Sequence, residues 1–228
     1  MKSRPKRKEP LYHVSERAGI RKFNPRPGAD FARPGAGFAL RGAGFAVPSA
    51  DFARPGAGFI RQSDDSNPRV WAISGARLHN YLLPRDCPRV TRYALPETSV
   101  ADRREFLDDA ESVVAIEAAW LDRSLQTALS LYTLPAESFD LQDAIAGYYI
   151  SEWAVEPLDE QRLPSALEAL IRKKARTGLE VRVLPELWRL REAVASSTLG
   201  FSIIRFRNAG PAPSGFQSRY PVPGRASL

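Results

Sequence analysis

Two histidines, one cysteine and a proline-bounded turn carrying two arginines are where this 228-residue chain could do chemistry. His13 stands near the end of the short apolar run Leu11-Tyr12-His13-Val14, which is followed by Ser15, Glu16 and Arg17, read as a helix cap and an acidic–basic pair. A histidine at the mouth of a strand can present its imidazole to a ligand. His79 sits beside Asn80 within a helical spacing and reads as structural or surface. With two histidines, no HxxxH or HxH spacing and a single cysteine, no metal site is expected. Cys87 lies between Asp86 and Pro88 with no evident base, and no GxSxG motif occurs, so no nucleophilic triad is read.

Arg85 and Arg89 flank Cys87 on a turn stiffened by Pro84 and Pro88, and could clamp a phosphate or carboxylate bidentately. The alternative is an Arg–Asp pair that stabilises the turn. Tyr148 and Tyr149 are adjacent in a strand-like stretch, so they face opposite sides, one toward a core and one toward a cleft, unless both are core. Trp71 lies in the β-forming run VWAI and reads first as core. Glu117, Glu152 and Glu156 are the available acids; Glu152 follows the Tyr148–Tyr149 strand where it breaks toward Pro157. His13 and Glu152 are the candidates for a catalytic role, with exposed charge the alternative for the glutamate.

The elements that position these groups alternate irregularly. Residues 69–73, 90–95, 112–117, 128–134, 139–141, 147–151, 154–158 and 179–184 carry strand signals. Helical spacing marks 76–83, a stretch after Thr98 or Ser99 as far as Asp109, 164–176 after Pro164, and 187–195. Residues 201–207 read either way. Strands outnumber helices without a βαβ rhythm, which predicts a single α+β domain with a small split or mixed sheet flanked by helices. No Gly-rich phosphate loop follows a strand, which argues against Rossmann and P-loop readings.

Within residues 10–209 an insert interrupts the domain. Phe31, Phe38, Phe45, Phe52 and Phe59 recur every seven residues among repeated Gly and Pro over 29–60. One bulky residue per unit cannot form a coiled-coil seam, and Gly and Pro exclude a helix. The insert reads as a disordered loop, with a Phe/Arg array binding a partner as the alternative.

The formal net charge is +7. Residues 1–10 contribute +4, 24–63 contribute +3 and 209–228 contribute +2, which leaves the remainder at 7 − 9 = −2. Basicity therefore belongs to the tails (1–9 and 210–228, both read as disordered) and the insert. Nucleic-acid binding through the folded body is not expected. No apolar run is long enough for a bilayer, and the basic start lacks a signal-peptide core. A single cysteine suits a reducing cytoplasm.

Taken together, LYHVSE at 11–16, VWAI at 70–73, PRDCPRV at 84–90, VAIE at 114–117, LPAESFDLQD at 134–143, GYYIS at 147–151 and IRFRNA at 204–209 resemble an uncharacterised bacterial domain-of-unknown-function family, 6886-like. The opening, a strand ending in His13 and then a strand around Trp71, is also similar to ADP-ribosyltransferase-like domains. That resemblance implies a cleft between two small sheets that binds NAD, ADP-ribose or another nucleotide. There His13 would hold a ribose, Trp71 and Tyr148 or Tyr149 would stack, and Arg85 or Arg89 would meet phosphate. Active transferases place a glutamate at the start of a later strand. Here that place holds Gly147 and Tyr148, so transfer chemistry would need Glu152 from further along. The rival expectations are a non-enzymatic interaction protein and a nucleic-acid binder acting through the basic tail and the Arg/Phe repeat.

Overall fold

The computed structural model describes residues 9–26, 68–174 and 177–220; the heptad insert at 29–60, residues 1–8 and residues 221–228 lie outside them. The described residues form an α+β domain with two sheets and no closed barrel. The larger sheet contains β1 (Leu11–Ser15), β2 (Val70–Ile73), β5 (Leu129–Leu134), β6 (Asp140–Asp143), β7 (Tyr148–Ser151) and β8 (Asp159–Leu163), in the order β6-β7-β2-β1-β5-β8. The smaller contains β3 (Arg89–Tyr93), β4 (Ser112–Glu117), β9 (Leu179–Leu184) and β10 (Gly200–Ile204), in the order β10-β3-β4-β9. Every pairing is antiparallel except β4 with β9, which runs parallel from Ser112↔Leu179 to Glu117↔Leu184.

Side-chain alternation sorts the core into layers. On β4, Val114 and Ile116 face a cluster with Leu129 of β5 and Ala166, Ala169 and Leu170 of α3 (Ala166–Lys174), with Tyr12 and Val14 of β1 packed against it. This cluster joins the two sheets. Val113 and Ala115 face the other way, into a cluster with Phe106 of α1 (Val100–Phe106) and Trp188 and Val194 of the C-terminal helix (Trp188–Ala195). On the outer face of the six-stranded sheet, Leu11, Val70, Ala72, Tyr132 and Leu134 are covered by Phe23, Ala136, Phe139 and Val155. Full burial of one such aliphatic side chain stabilises by roughly 1.5–3 kcal/mol.

Local chemistry explains most boundaries. Ser99 accepts the Asp102 amide at 3.0 Å and so caps α1, while the Asp102 carboxylate reaches across to the Thr198 amide at 2.7 Å. The β6–β7 connection closes through Asp143, whose Oδ1 accepts the amides of Ile145 and Ala146, and through Gly147 at φ +70°. A Cβ at Gly147 would come within 2.5 Å of Ser74 Oγ, so only glycine allows the turn to seat there.

Several sequence expectations are corrected. Residues Gly75–Tyr81 form a 3-10 helix rather than an α-helix, a short segment between β2 and the Pro84–Cys87 turn that buries the polar groups of His79 and Asn80. Ser15 caps no helix; its hydroxyl accepts the Arg17 amide in an irregular turn. The strand expected at 154–158 reduces to one bridge, Val155 with Phe23. In its place the polar run Asp159–Leu163 forms β8, from Leu129↔Leu163 to Thr133↔Asp159 on β5. The segment after Gly210, unstructured by composition, packs along the C-terminal helix as far as Tyr220. The Trp188 indole donates to Gly210 O at 3.0 Å, Phe216 meets Trp188 edge-on, and buried Glu192 accepts the Arg219 amide at 3.0 Å.

Candidate functional site

Three of the residues singled out from the sequence, Trp71, Tyr148 and Arg89, come together where β2 and β7 approach one end of the four-stranded sheet. Trp71 and Tyr148 meet edge-on with centroids 5.5 Å apart, and Tyr81 lies 5.6 Å from Tyr148. All three sit on the face of the six-stranded sheet that carries Ile73 and Ala146. Arg89 opens β3, with its guanidinium 5.8 Å from the Tyr81 ring. β10 pairs Ile204 with Arg89, which brings Arg205 to the same sheet end. The Pro84–Cys87 turn carries Arg85 to this junction, held by Glu16 accepting the Arg85 amide at 2.8 Å.

Arg89 and Arg85 prove to be different kinds of residue. Arg89 is 3% exposed, and one guanidinium nitrogen donates to both Pro84 O at 3.1 Å and Cys87 O at 3.0 Å. Burial is the largest influence on it and lowers its pKa. It is a staple of the turn, not one jaw of a clamp. Arg85 is exposed. The expected Arg–Asp pairing within the turn does not define it; the Asp86 carbonyl instead accepts Asn208 Nδ2 at 2.7 Å, which ties the turn to residues 206–208.

His13 stands apart from the aromatic trio. It shares the outer face of the sheet with Leu11, its ring lies 4.7 Å from Phe23, and Phe23 packs edge-on against Tyr132. Trp71 projects from the opposite face, so the one cleft expected to contain both side chains is divided by the sheet. They are linked instead through the main chain. His13 Nδ1 lies 2.9 Å from Trp71 O, and a carbonyl only accepts, so Nδ1 carries the proton and Nε2 the lone pair. Burial lowers the imidazole pKa below 6.5; the bond to Trp71 opposes this, while Arg85 and Arg26 add to it.

Tyr149 lies on the outer face beside the Leu11 cluster, away from Tyr148, as alternation requires. Glu152 and Glu156 are exposed. Glu117 is 2% exposed and accepts the Gly210 amide at 2.8 Å, so it anchors the chain after β10. Cys87 is a buried free thiol whose pKa burial pushes up to about 11, far from a nucleophilic thiolate. Among the described residues, no group of three His, Cys, Asp or Glu is placed to hold a metal, and no helix is long and apolar enough to cross a membrane.

Two junction residues carried no sequence signal toward a site. Tyr81 fell within the helical spacing at 76–83, and Arg205 within the ambiguous stretch 201–207. Burial raises the pKa of Tyr81 well above 10 and that of Tyr148 in the same direction, so both rings stay neutral hydroxyl-bearing walls. Elsewhere, an open groove of about 720 Å³ runs between β1, β5, β8 and α3, lined by Tyr12, Leu78, Leu131, Gln161 and Lys173 among others. It contains none of the expected ligand residues.

No curated protein and no solved structure matches the chain. The chain does match one family across residues 52–209, a span that takes in β2 through β10 and the whole aromatic–arginine junction, while β1 with His13 precedes it. By that match the protein belongs to the family of unknown function DUF6886.

Proposed function

We propose that the protein binds a nucleotide-like ligand, of the NAD or ADP-ribose class, at the junction of Trp71, Tyr81 and Tyr148 with Arg85. The observation that carries the reading is this meeting of the half-buried rings of Trp71 and Tyr81 and the buried ring of Tyr148 with a cationic turn. A base or nicotinamide ring stacks on an aromatic face, and an arginine fork matches a phosphate. Trp71 is the half-buried member of the trio closest to β1, and it supplies the stacking face.

In this reading His13 is first a positioning residue, fixing the Trp71 strand through its carbonyl. The transferase resemblance gives His13 a ribose hydroxyl, and the lone pair on Nε2 has the chemistry to accept one. Its place beneath Phe23 makes it the less accessible half of the arrangement. No carboxylate begins β7, where Gly147 and Tyr148 stand, and Glu152 lies exposed beyond its end. We therefore read a binding protein rather than a transferase. A bacterial cytoplasmic setting fits the single buried thiol of Cys87.

Thermal unfolding of the full chain with NAD, ADP-ribose and adenosine tests the reading. A ligand at a hundred times its dissociation constant stabilises by about 2.7 kcal/mol, which for a chain of this size is a shift of several degrees. Trp71→Ala should remove the shift and Tyr149→Phe should leave it. No shift with any of the three at millimolar concentration, or a shift that survives Trp71→Ala, sinks the proposal.

A further inference from the structure

The turn that follows β10 has a conformation its residues do not favour. Arg205 has φ +52° and ψ +30°, the left-handed region where a side chain other than Asn, Asp or Gly is uncommon. One other non-glycine residue shares this region among those described, Asp108, a type that tolerates it. Nothing local compels an arginine here. The turn closes through Asn208 N donating to Arg205 O at 2.9 Å, a main-chain bond any residue at 205 could accept. Glycine would adopt the same shape without strain.

The charges around this turn are also unfavourable to one another. Arg205 is half-buried, and burial, then Arg85 and Arg207, weaken its hold on the proton, with Asp86 opposing. Among the described residues no carboxylate comes within ion-pair distance of Arg205 or Arg207. Arg205 and Arg207 therefore stand near Arg85 and Asp86 without an ion pair of their own among the described residues. The Asn208–Asp86 bond and the Arg89 staple fix the two loops against each other, so the cations cannot simply drift apart. Strained backbone and converging like charges held by a rigid frame are features that a bound polyanion offsets.

We propose that Arg205, with Arg207 and Arg85, forms a binding site for a pyrophosphate group, built from the turn after β10 and the turn before β3. The inference deepens the nucleotide reading and takes from it the place of the site, adding the chemical class that the arginine corner selects. The guanidinium of Arg205 lies within electrostatic reach of Tyr148, so a pyrophosphate held there would place an attached nucleoside toward Tyr148 and Trp71.

The test uses the full chain, inorganic pyrophosphate at about 5 mM and sodium chloride at matched ionic strength. Pyrophosphate should raise the melting temperature by roughly 4 °C over the salt control. Arg205→Gly should raise the melting temperature without ligand by roughly 2 °C, because it removes strain and repulsion together, and should abolish the pyrophosphate shift. A merely structural Arg205 predicts the reverse sign, a lower melting temperature for the glycine variant, and that result overturns the proposal. So does a pyrophosphate shift retained in Arg205→Gly, or stabilisation by a short RNA but not by pyrophosphate, which would assign the corner to a nucleic-acid backbone. Pyrophosphate binding without any response to NAD or ADP-ribose would uphold the anion site while removing the nucleotide reading. Nucleotide binding indifferent to Arg205→Gly would do the opposite.

Discussion

The two sheets treat charge in opposite ways. Every residue of β3, β4 and β10 in the four-stranded sheet is buried, arginines included. Arg89 and Arg92 donate there to backbone carbonyls, Arg92 to Phe106 O at 2.8 Å, while Arg89 Nε and Arg92 Nη1 stay buried without a partner among the described residues. In the six-stranded sheet the edge strands β6 and β8 are largely exposed, and charge there is solvated. A guanidinium inside the covered sheet is scaffolding, since burying it costs too much to leave it waiting for a ligand. Cations able to serve a ligand, Arg85 and Arg205, stand on the turns just beyond the covered strands. The site is where a rigid frame ends, and the frame's own arginine, Arg89, holds it.

Breaking that frame should have the largest effect. Arg89→Ala leaves the carbonyls of Pro84 and Cys87 without their donor and opens a void, and should cost about 4 kcal/mol in denaturant-measured stability. Arg85→Ala, on the same turn but exposed, should stay within about 0.5 kcal/mol while losing the ligand-induced thermal shift. Equal losses for the two variants would erase the distinction between staple and ligand-facing cation.

Acid should act through a buried histidine of the 3-10 helix Gly75–Tyr81. His79 is 6% exposed, and burial, with Arg77 and Lys173, depresses its pKa from 6.5 to about 4. The unfolded chain binds this proton near 6.5 and the folded chain only near 4, so the stability is present above pH 6.5 and lost as pH falls toward 4. The loss should approach about 3 kcal/mol by pH 4. Comparing His79→Gln with the native chain isolates it from the carboxylates that titrate nearby, and parallel stability–pH curves would refute it.

A smaller effect probes the seating of β7 against the 3-10 helix. Gly147→Ala meets both a positive φ and a contact with Ser74 Oγ, and should cost roughly 2 kcal/mol in chemical unfolding. Because Tyr148 follows directly, the variant should also weaken ligand binding. A stable variant would show that the turn is free to shift.

Strands whose own residues favour pleated, buried surface were legible in advance. VWAI, SVVAIE, LSLYTL and LEVRVL carry β-branched and aromatic residues bounded by turn formers, and each is a strand. The DEQRL strand was hidden because its residues prefer neither state. It is a strand because β5 offers it five registered partners. The same division runs through the site. Trp71 and Tyr148 announced themselves by type, and the fold brings them together. His13 and Tyr149 were grouped with them by type, yet alternation places both on the sheet's other face.

The sequence by itself determined the strand-rich α+β class, the helix start at Thr98–Ser99 and the candidate aromatic and arginine residues, because propensity, periodicity and turn chemistry are local properties. Only the tertiary structure decided that Arg89 is buried scaffolding, that Arg205 holds a left-handed turn beside Arg85, and that His13 touches Trp71 through a carbonyl alone. Those outcomes depend on which strands pair and which faces are covered, and partners in paired strands lie up to 123 residues apart, Leu11 of β1 with Leu134 of β5. No local signal in the chain carries that information.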